Sequence, residues 1–329
     1  MKRTLLMVIG VLALITISTP CLAQEPRPGG GPASWPTGRP PEPPPLDVSA
    51  FTNKWLDLAY ADQSESQKLD IYLPAEGKGP FPVVVYIHGG GWAVSDKRSM
   101  ELEPVLKSCL AHGYAVVSAN QRPSREALFP AQIKDVKAAI RWIRANGKRY
   151  ELNPGKIGAW GSSSGGHLVA LLGTTGWVKE FDDINLGNPN ESSSVQAVID
   201  VSGPINFLTM DEQLKKNGFT DFAPHGDAAG PESSLLGKPI GTVPELVKTA
   251  NPETYIRKDA SPMLLAYGAK DNSVPVQQAT DFAAKLRDVI GNEKVSLVIF
   301  PEGGHGGGES FNSQENMNRL FSFLDRHLK

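Results

Sequence analysis

The sequence is poor in cysteine. Only Cys21 and Cys109 occur in 329 residues. A disulfide framework is therefore excluded, and a chain of this length buries enough core without one. Charge of one sign is also missing, because 33 basic against 35 acidic residues leave a net −2. That balance lacks the basic face that a nucleic-acid partner would favour. No block of like charges marks an interaction tail. No repeat has the length of a solenoid unit. His, Cys and Asp are not clustered at metal-ligand spacing. Neither G-x-x-x-x-G-K-[ST] nor G-x-G-x-x-G appears, which argues against nucleotide binding.

One long apolar run is present, at the start. Lys2 and Arg3 precede "TLLMVIGVLALITI" and then "TPCLAQ". This order predicts a secretory signal peptide over residues 1–23, cleaved before Gln24. The run is shorter than the roughly 20 residues that span a bilayer. Cys21 follows Pro20 and lacks surroundings like those of a lipoprotein anchor. Cleavage leaves Cys109 as a lone thiol in the apolar "VLKSCLAHGY", where a buried helix residue is expected. Residues 24–47 carry "PRPGGGPASWPTGRPPEPPPLD" and read as a Pro/Gly-rich linker. A single domain is expected over 48–329, in a secreted or periplasmic protein.

From Phe51 the pattern becomes regular. "WLDLAYA" and "QKLDIYLP" alternate apolar and polar residues, as half-buried strands do. "FPVVVYI", "YAVVSANQ", "KIGAW", "VQAVIDVSG", "PMLLAYG" and "VSLVIF" are denser apolar runs, typical of strands covered on both faces. Helical spacing separates many of them, clearest in Ile133, Val136, Ala139, Ile140 and Ile143. Alternation of this kind predicts an α/β fold with a mostly parallel sheet and an antiparallel start. The stretch from Trp177 to Tyr255, its strand apart, is irregular. It is read either as a small cap or as a large surface loop.

Three consecutive serines stand in "WGSSSGGH". Gly161 to Gly165 fits G-x-S-x-G between a strand and a helix, the pattern of a nucleophile elbow with Ser163 at its tip. On that motif alone, a Ser/Gly helix cap without chemistry is an equal reading. The context decides for a nucleophile. "HGGGW" follows the strand "VVVYI", and glycine-rich backbone there can turn several N–H groups toward one anion. Gly90 and Gly91, with the amide of Ser164, are the expected oxyanion donors. His88 is expected to order that loop. A nucleophilic serine also needs a base and an orienting acid. His305 lies in the Gly-rich "FPEGGHGGG" after the last strand and is the expected base. His112 has a structural place at a helix C-terminus, His167 is expected to pack near the site in the first turn after the elbow, His225 lies in the irregular stretch and His327 in the terminal helix. Asp271 in "GAKDNSVP" is the expected acid, with Asp200 in "VIDVSG" as the alternative. Trp92, Trp160 and Trp177 are candidates to border the pocket. Arg122 is a candidate to touch a polar substrate or to form a structural salt bridge.

Taken with "KLDIYLP", "FPAQIKDVKAAIRWIRAN", "IGAWGSSSGGHLVALLGTT", "NPETYI" and "GGHGGG", these motifs resemble the α/β-hydrolase esterases and lipases. The nearest likeness is to the secreted feruloyl-esterase-like and acetylxylan-esterase-like group, beside the hormone-sensitive-lipase branch. The resemblance implies an α/β-hydrolase fold and a serine carboxylesterase acting through an acyl-enzyme. It requires no metal or organic cofactor. The substrate implied is a small-molecule or polysaccharide ester, short-acyl or feruloyl, with no nucleic-acid partner and no stable membrane insertion after cleavage. Ser164 stands where similar enzymes often have alanine, a change that keeps the backbone donor. Other readings are a general aryl or alkyl carboxylesterase or lipase, a serine peptidase on the same fold, and a non-catalytic hydrolase-like binding protein.

Overall fold

A computed structural model describes residues 45–329. The expected signal peptide and all but the last three residues of the expected linker lie outside the described residues. Those last residues already belong to the fold. Leu46 and Val48 are buried in the core, and the Leu46 amide donates to the Arg98 carbonyl at 2.7 Å.

Eight strands form one sheet: β1 (Lys54–Ala59), β2 (Lys68–Tyr72), β3 (Phe81–Ile87), β4 (Ala115–Ala119), β5 (Leu152–Ser162), β6 (Ala197–Val201), β7 (Met263–Gly268) and β8 (Val295–Phe300). Their spatial order is β1-β2-β4-β3-β5-β6-β7-β8. β1 and β2 are antiparallel, as their place before the first helix implied, and β3 to β8 run parallel. β5 begins at Leu152, four residues earlier than its apolar run suggested, because Leu152 pairs with Phe81 across an irregular stretch.

Alternate side chains along the central strands enter two separate cores. Val83, Val85 and Ile87 point to one, and Val84 and Tyr86 to the other. The first is covered by α2 (Ala131–Asn146), α3 (Ser164–Thr174) and α7 (Gln277–Ile290). The second is covered by α1 (Leu102–Ala111) and α8 (Gln314–Leu328). This two-sided cover is why the strands read as continuous apolar runs. Full burial of each such Val, Ile or Leu stabilises by about 1.5–3 kcal/mol. Cys109 is fully buried in the second core, and burial pushes its thiol pKa up.

The segment after β6 is more ordered than its composition suggested. It holds α4 (Met210–Lys216), α5 (Pro231–Leu236) and α6 (Pro244–Ala250). Phe207, Met210, Leu235, Ile240 and Val247 anchor it in the first core. These helices are at most seven residues long. Tertiary packing, not propensity, holds helices this short.

The chain order reverses between β3 and β5. β3 neighbours β4 on one side, and β5 starts the run toward β8 on the other. In sheets of this type the crevice beyond the carboxyl ends at such a point is the usual ligand site. The loops after β3, β5, β6, β7 and β8 all emerge at that edge.

Candidate active site

Ser163 sits between the end of β5 and the start of α3 with φ 54° and ψ −123°. A non-glycine residue in this region is strained, and its surroundings must hold it there. They do so through two backbone bonds. The Ser163 amide donates to the Val201 carbonyl at 2.8 Å, and its own carbonyl accepts from the His167 amide at 3.0 Å. The bend also needs glycine on both sides. A Cβ on Gly161 would lie 2.2 Å from the Gly165 carbonyl oxygen, and one on Gly165 would lie 2.1 Å from that of Ile87. Two of the motif's fixed positions are therefore explained by close backbone approach.

The loop after β3 lies across the edge from this turn. A Cβ on Gly89 would stand 3.3 Å from Ser163 Cβ. Gly90 has φ 101°, and its carbonyl accepts from the amides of Ala93 and Val94 at 3.1 Å each. The amides of Gly90 and Gly91 donate to no other described residue. Ser164 opens α3, so its amide has no partner within the helix, and the helix N-terminus favours negative charge nearby. Its hydroxyl is buried and bonds to nothing among the described residues. His88 is buried and donates from Nδ1 to the Gly89 carbonyl at 2.7 Å, which fixes the loop. Burial lowers its pKa.

His305 follows β8 and is 36% exposed at its side chain. Its Nδ1 donates to Asp271 Oδ2 at 2.8 Å. That bond leaves Nε2 as the acceptor nitrogen. Burial works against charge on the ring, but the hydrogen bond and charge of Asp271, with Glu101 behind, outweigh it. The pKa of His305 is thereby held above the ordinary histidine value. Asp271 is 1% exposed, and its Oδ1 accepts from the amides of Ser273 and Val274 at 2.8 Å each. The loop carrying His305 is tied down by Gly306, whose amide donates to Ser202 Oγ at 3.1 Å.

Ser163, His305, Gly90 and Gly91 line one cavity of about 460 Å³. Trp160 and Phe311 supply aromatic walls, and Tyr86, Glu101 and Asn312 supply polar groups. Burial, with Glu101 adding to it, raises the Tyr86 phenol well above its ordinary value.

Two expected binding residues are elsewhere. Trp92 is 2% exposed and packs in the core against Phe207 at 5.5 Å between ring centroids. Its indole N–H donates to His167 Nδ1 at 3.2 Å, while His167 Nε2 donates to the Ala250 carbonyl at 2.7 Å. Trp92 thus joins the glycine loop, α3 and the end of α6. It is absent from the lining of the serine cavity. Burial lowers the pKa of His167 to about 4, so this ring stays neutral. Arg122 takes the structural option. It grips the fully buried Asp135 through Nε at 2.9 Å and Nη2 at 2.8 Å. Trp177 is exposed under the Arg257 guanidinium, also outside the cavity.

A family model, BD-FAE, matches residues 69–286. The chain belongs to the BD-FAE family. The match takes in Gly90, Gly91, Ser163, Ser164 and Asp271 and ends before His305. A solved structure described as a truncated form of carbohydrate esterase from gut microbiota is 33% identical, with a TM-score of 0.76. That likeness covers 86% of this BD-FAE chain and 99% of the other. A bifunctional GH43-CE protein of Bacteroides eggerthii is 35% identical with a TM-score of 0.74, over 84% of this chain and 35% of that one. Esterase LipC of Mycobacterium tuberculosis is 29% identical over 254 residues, 76% of this chain. The chain spans 59% of the length of LipC. The fold is that of the α/β-hydrolase esterases.

Sequence reasoning missed Ser202, Glu101 and the contacts of His225. Ser202 lies in the quoted "VIDVSG", but nothing there signals its bond to Gly306, and Glu101 belongs to no motif. Only the fold brings them to the elbow and the cavity.

Proposed function

We propose that this protein is a serine esterase that hydrolyses carboxylic esters through an acyl-enzyme on Ser163. The observation that carries the reading is the His305 Nδ1 to Asp271 bond of 2.8 Å, made by a ring that shares its cavity with Ser163. With Nδ1 fixed as donor, Nε2 takes the Ser163 proton as Oγ attacks the ester carbonyl. The oxyanion is held by the amides of Gly90, Gly91 and Ser164. Nε2 then protonates the leaving alcohol. Water, deprotonated by the same nitrogen, releases the acid and regenerates the serine.

The substrates proposed are short-acyl or feruloyl esters on plant polysaccharides, met outside the cytoplasm. Aromatic walls beside polar Tyr86, Glu101 and Asn312 suit a small acyl group on a hydroxyl-rich alcohol. The carbohydrate esterase relatives and the signal-peptide pattern at residues 1–23 support the same reading. The test compares the chain from residue 24 with its Ser163→Ala variant on four esters: p-nitrophenyl acetate, p-nitrophenyl octanoate, methyl ferulate and acetylated xylan. Ser163-dependent release from acetylated xylan or methyl ferulate is expected. Turnover of the nitrophenyl esters alone would leave a general carboxylesterase. Turnover that survives Ser163→Ala would reject the site.

A further inference from the structure

The segment between α4 and α5 touches both halves of the site. His225 lies in "APHGD" and is 5% exposed. Its Nε2 donates to the Ser273 carbonyl at 2.9 Å, and its Nδ1 meets Glu232 Oε2 at 2.9 Å. Glu232 is 2% exposed, so this is a buried contact. The backbone at His225 is fixed separately, because Asp211 of α4 accepts from the His225 amide at 2.8 Å and from the Gly226 amide at 3.2 Å.

Both destinations matter for the chemistry proposed above. Ser273 is in the turn that holds the acid: its amide donates to Asp271 Oδ1, and Asp271 Oδ2 holds His305. Glu232 follows Pro231, and a Cβ on Gly91 would stand 3.3 Å from Pro231 Cβ. The acid turn and the oxyanion loop come from β7 and β3, which are not neighbours in the sheet. The imidazole of His225 joins them through one short piece of chain.

Resting on the esterase reading, we propose that His225 is a positioning residue. Bridging Glu232 and the Ser273 carbonyl, it sets the acid turn relative to the oxyanion loop. The Ser273 carbonyl can only accept, so Nε2 carries a hydrogen. Glu232 then takes the second ring N–H. Burial opposes charge on this ring, but the bond and charge of Glu232, together with Asp211, hold its pKa above the ordinary value. The charged groups facing it are Glu232 and Asp211, with His305 across the acid turn.

Displacement of catalytic groups by about 1 Å costs on the order of 100-fold in rate. His225→Leu and Glu232→Leu are therefore expected to lower kcat on p-nitrophenyl acetate by roughly 10- to 100-fold, with KM within about twofold. The double variant is expected to be no worse than either single one, because both break the same bridge. Glu232→Gln keeps an acceptor for the ring and is expected to restore kcat to within about threefold. Circular dichroism verifies the fold of each variant, and Ser163→Ala is measured beside them. A folded His225→Leu or Glu232→Leu with wild-type kcat, or a loss confined to KM, would overturn the proposal. If Ser163→Ala is inactive in that experiment, the esterase reading stands without the brace. If Ser163→Ala turns over, both fall. Should His225→Leu and Glu232→Leu both fail to fold, His225 is a folding determinant and the positioning role is likewise overturned.

Discussion

Asp200 and Asp271 are both buried carboxyl groups near the carboxyl ends of neighbouring strands, β6 and β7, yet their surroundings give them different tasks. Asp271 accepts two backbone amides and the imidazole of His305, all donors. Each of these contacts holds it in place and aims Oδ2 at the imidazole. Asp200 accepts the Gly203 amide at 2.9 Å and meets Tyr267 Oη at 2.8 Å. That phenol has one proton and also stands 2.5 Å from the Gly203 carbonyl. Asp200 Oδ2 and the Gly203 carbonyl therefore compete for that single proton. Burial pushes Asp200 up to about 7, against the bonds from Tyr267 and Gly203. One acid orients a base. The other is a brace behind the serine turn, where Gly166 leaves room for its Oδ1.

This contrast can be broken by one atom at each position. Asp271→Asn is expected to cut kcat by about 10⁴-fold with the fold retained, because an amide stabilises the wrong tautomer of the base. Asp200→Asn is expected to stay within about threefold, since the amide oxygen still accepts from Gly203 and its NH₂ can donate to Tyr267 Oη while the phenol donates to the Gly203 carbonyl. Steady-state rates on p-nitrophenyl acetate decide it, and the reverse ranking would move the acid to β6.

Stability sharpens the same comparison. A lesion away from the cavity should separate fold from chemistry. Arg122→Ala leaves the buried Asp135 with Gln67 and the residue 122 amide but without its guanidinium, and is expected to cost about 3 kcal/mol by urea unfolding while KM stays within about twofold. The raised pKa of Asp200 has its own signature. The folded state binds this proton more tightly than the unfolded chain. The stabilisation is therefore full below about pH 4 and is lost as pH rises through about 7. It amounts to at most about 4 kcal/mol. Asp200→Asn is expected to lack that slope while keeping contributions from His225 and His305. Unfolding curves of the two proteins between pH 4 and 8 measure the difference. The smallest effect expected is at Ser164. Ser164→Ala removes a buried hydroxyl without a partner and keeps the amide, so both kcat and stability are expected to move by less than about 1 kcal/mol.

The legible parts of the molecule were those whose constraint is local. β3 to β8 showed as apolar runs because helices cover both faces of the sheet. The serine turn and the glycine loop showed because close backbone approach leaves only glycine at set positions. His305 and Asp271 could be named because each follows a strand in a loop at the same edge. Other features depend on partners far away in the chain. The distinction between the two aspartates rests on Tyr267 and His305. Trp92, next to the glycine loop, has the place of a pocket wall in the sequence, but its indole is consumed by His167, 75 residues on. Arg122 faced two readings until Asp135 was beside it. The short helices α4, α5 and α6 lack the length to display a period, and their order comes from the core they cap.

The most direct test treats the wild type, Asp271→Asn and Asp200→Asn with a fluorophosphonate and maps the adduct by peptide mass spectrometry. The account predicts one adduct, on Ser163, formed at a near wild-type rate in Asp200→Asn and hardly at all in Asp271→Asn. An adduct on another residue, or equal loss in the two variants, would contradict it.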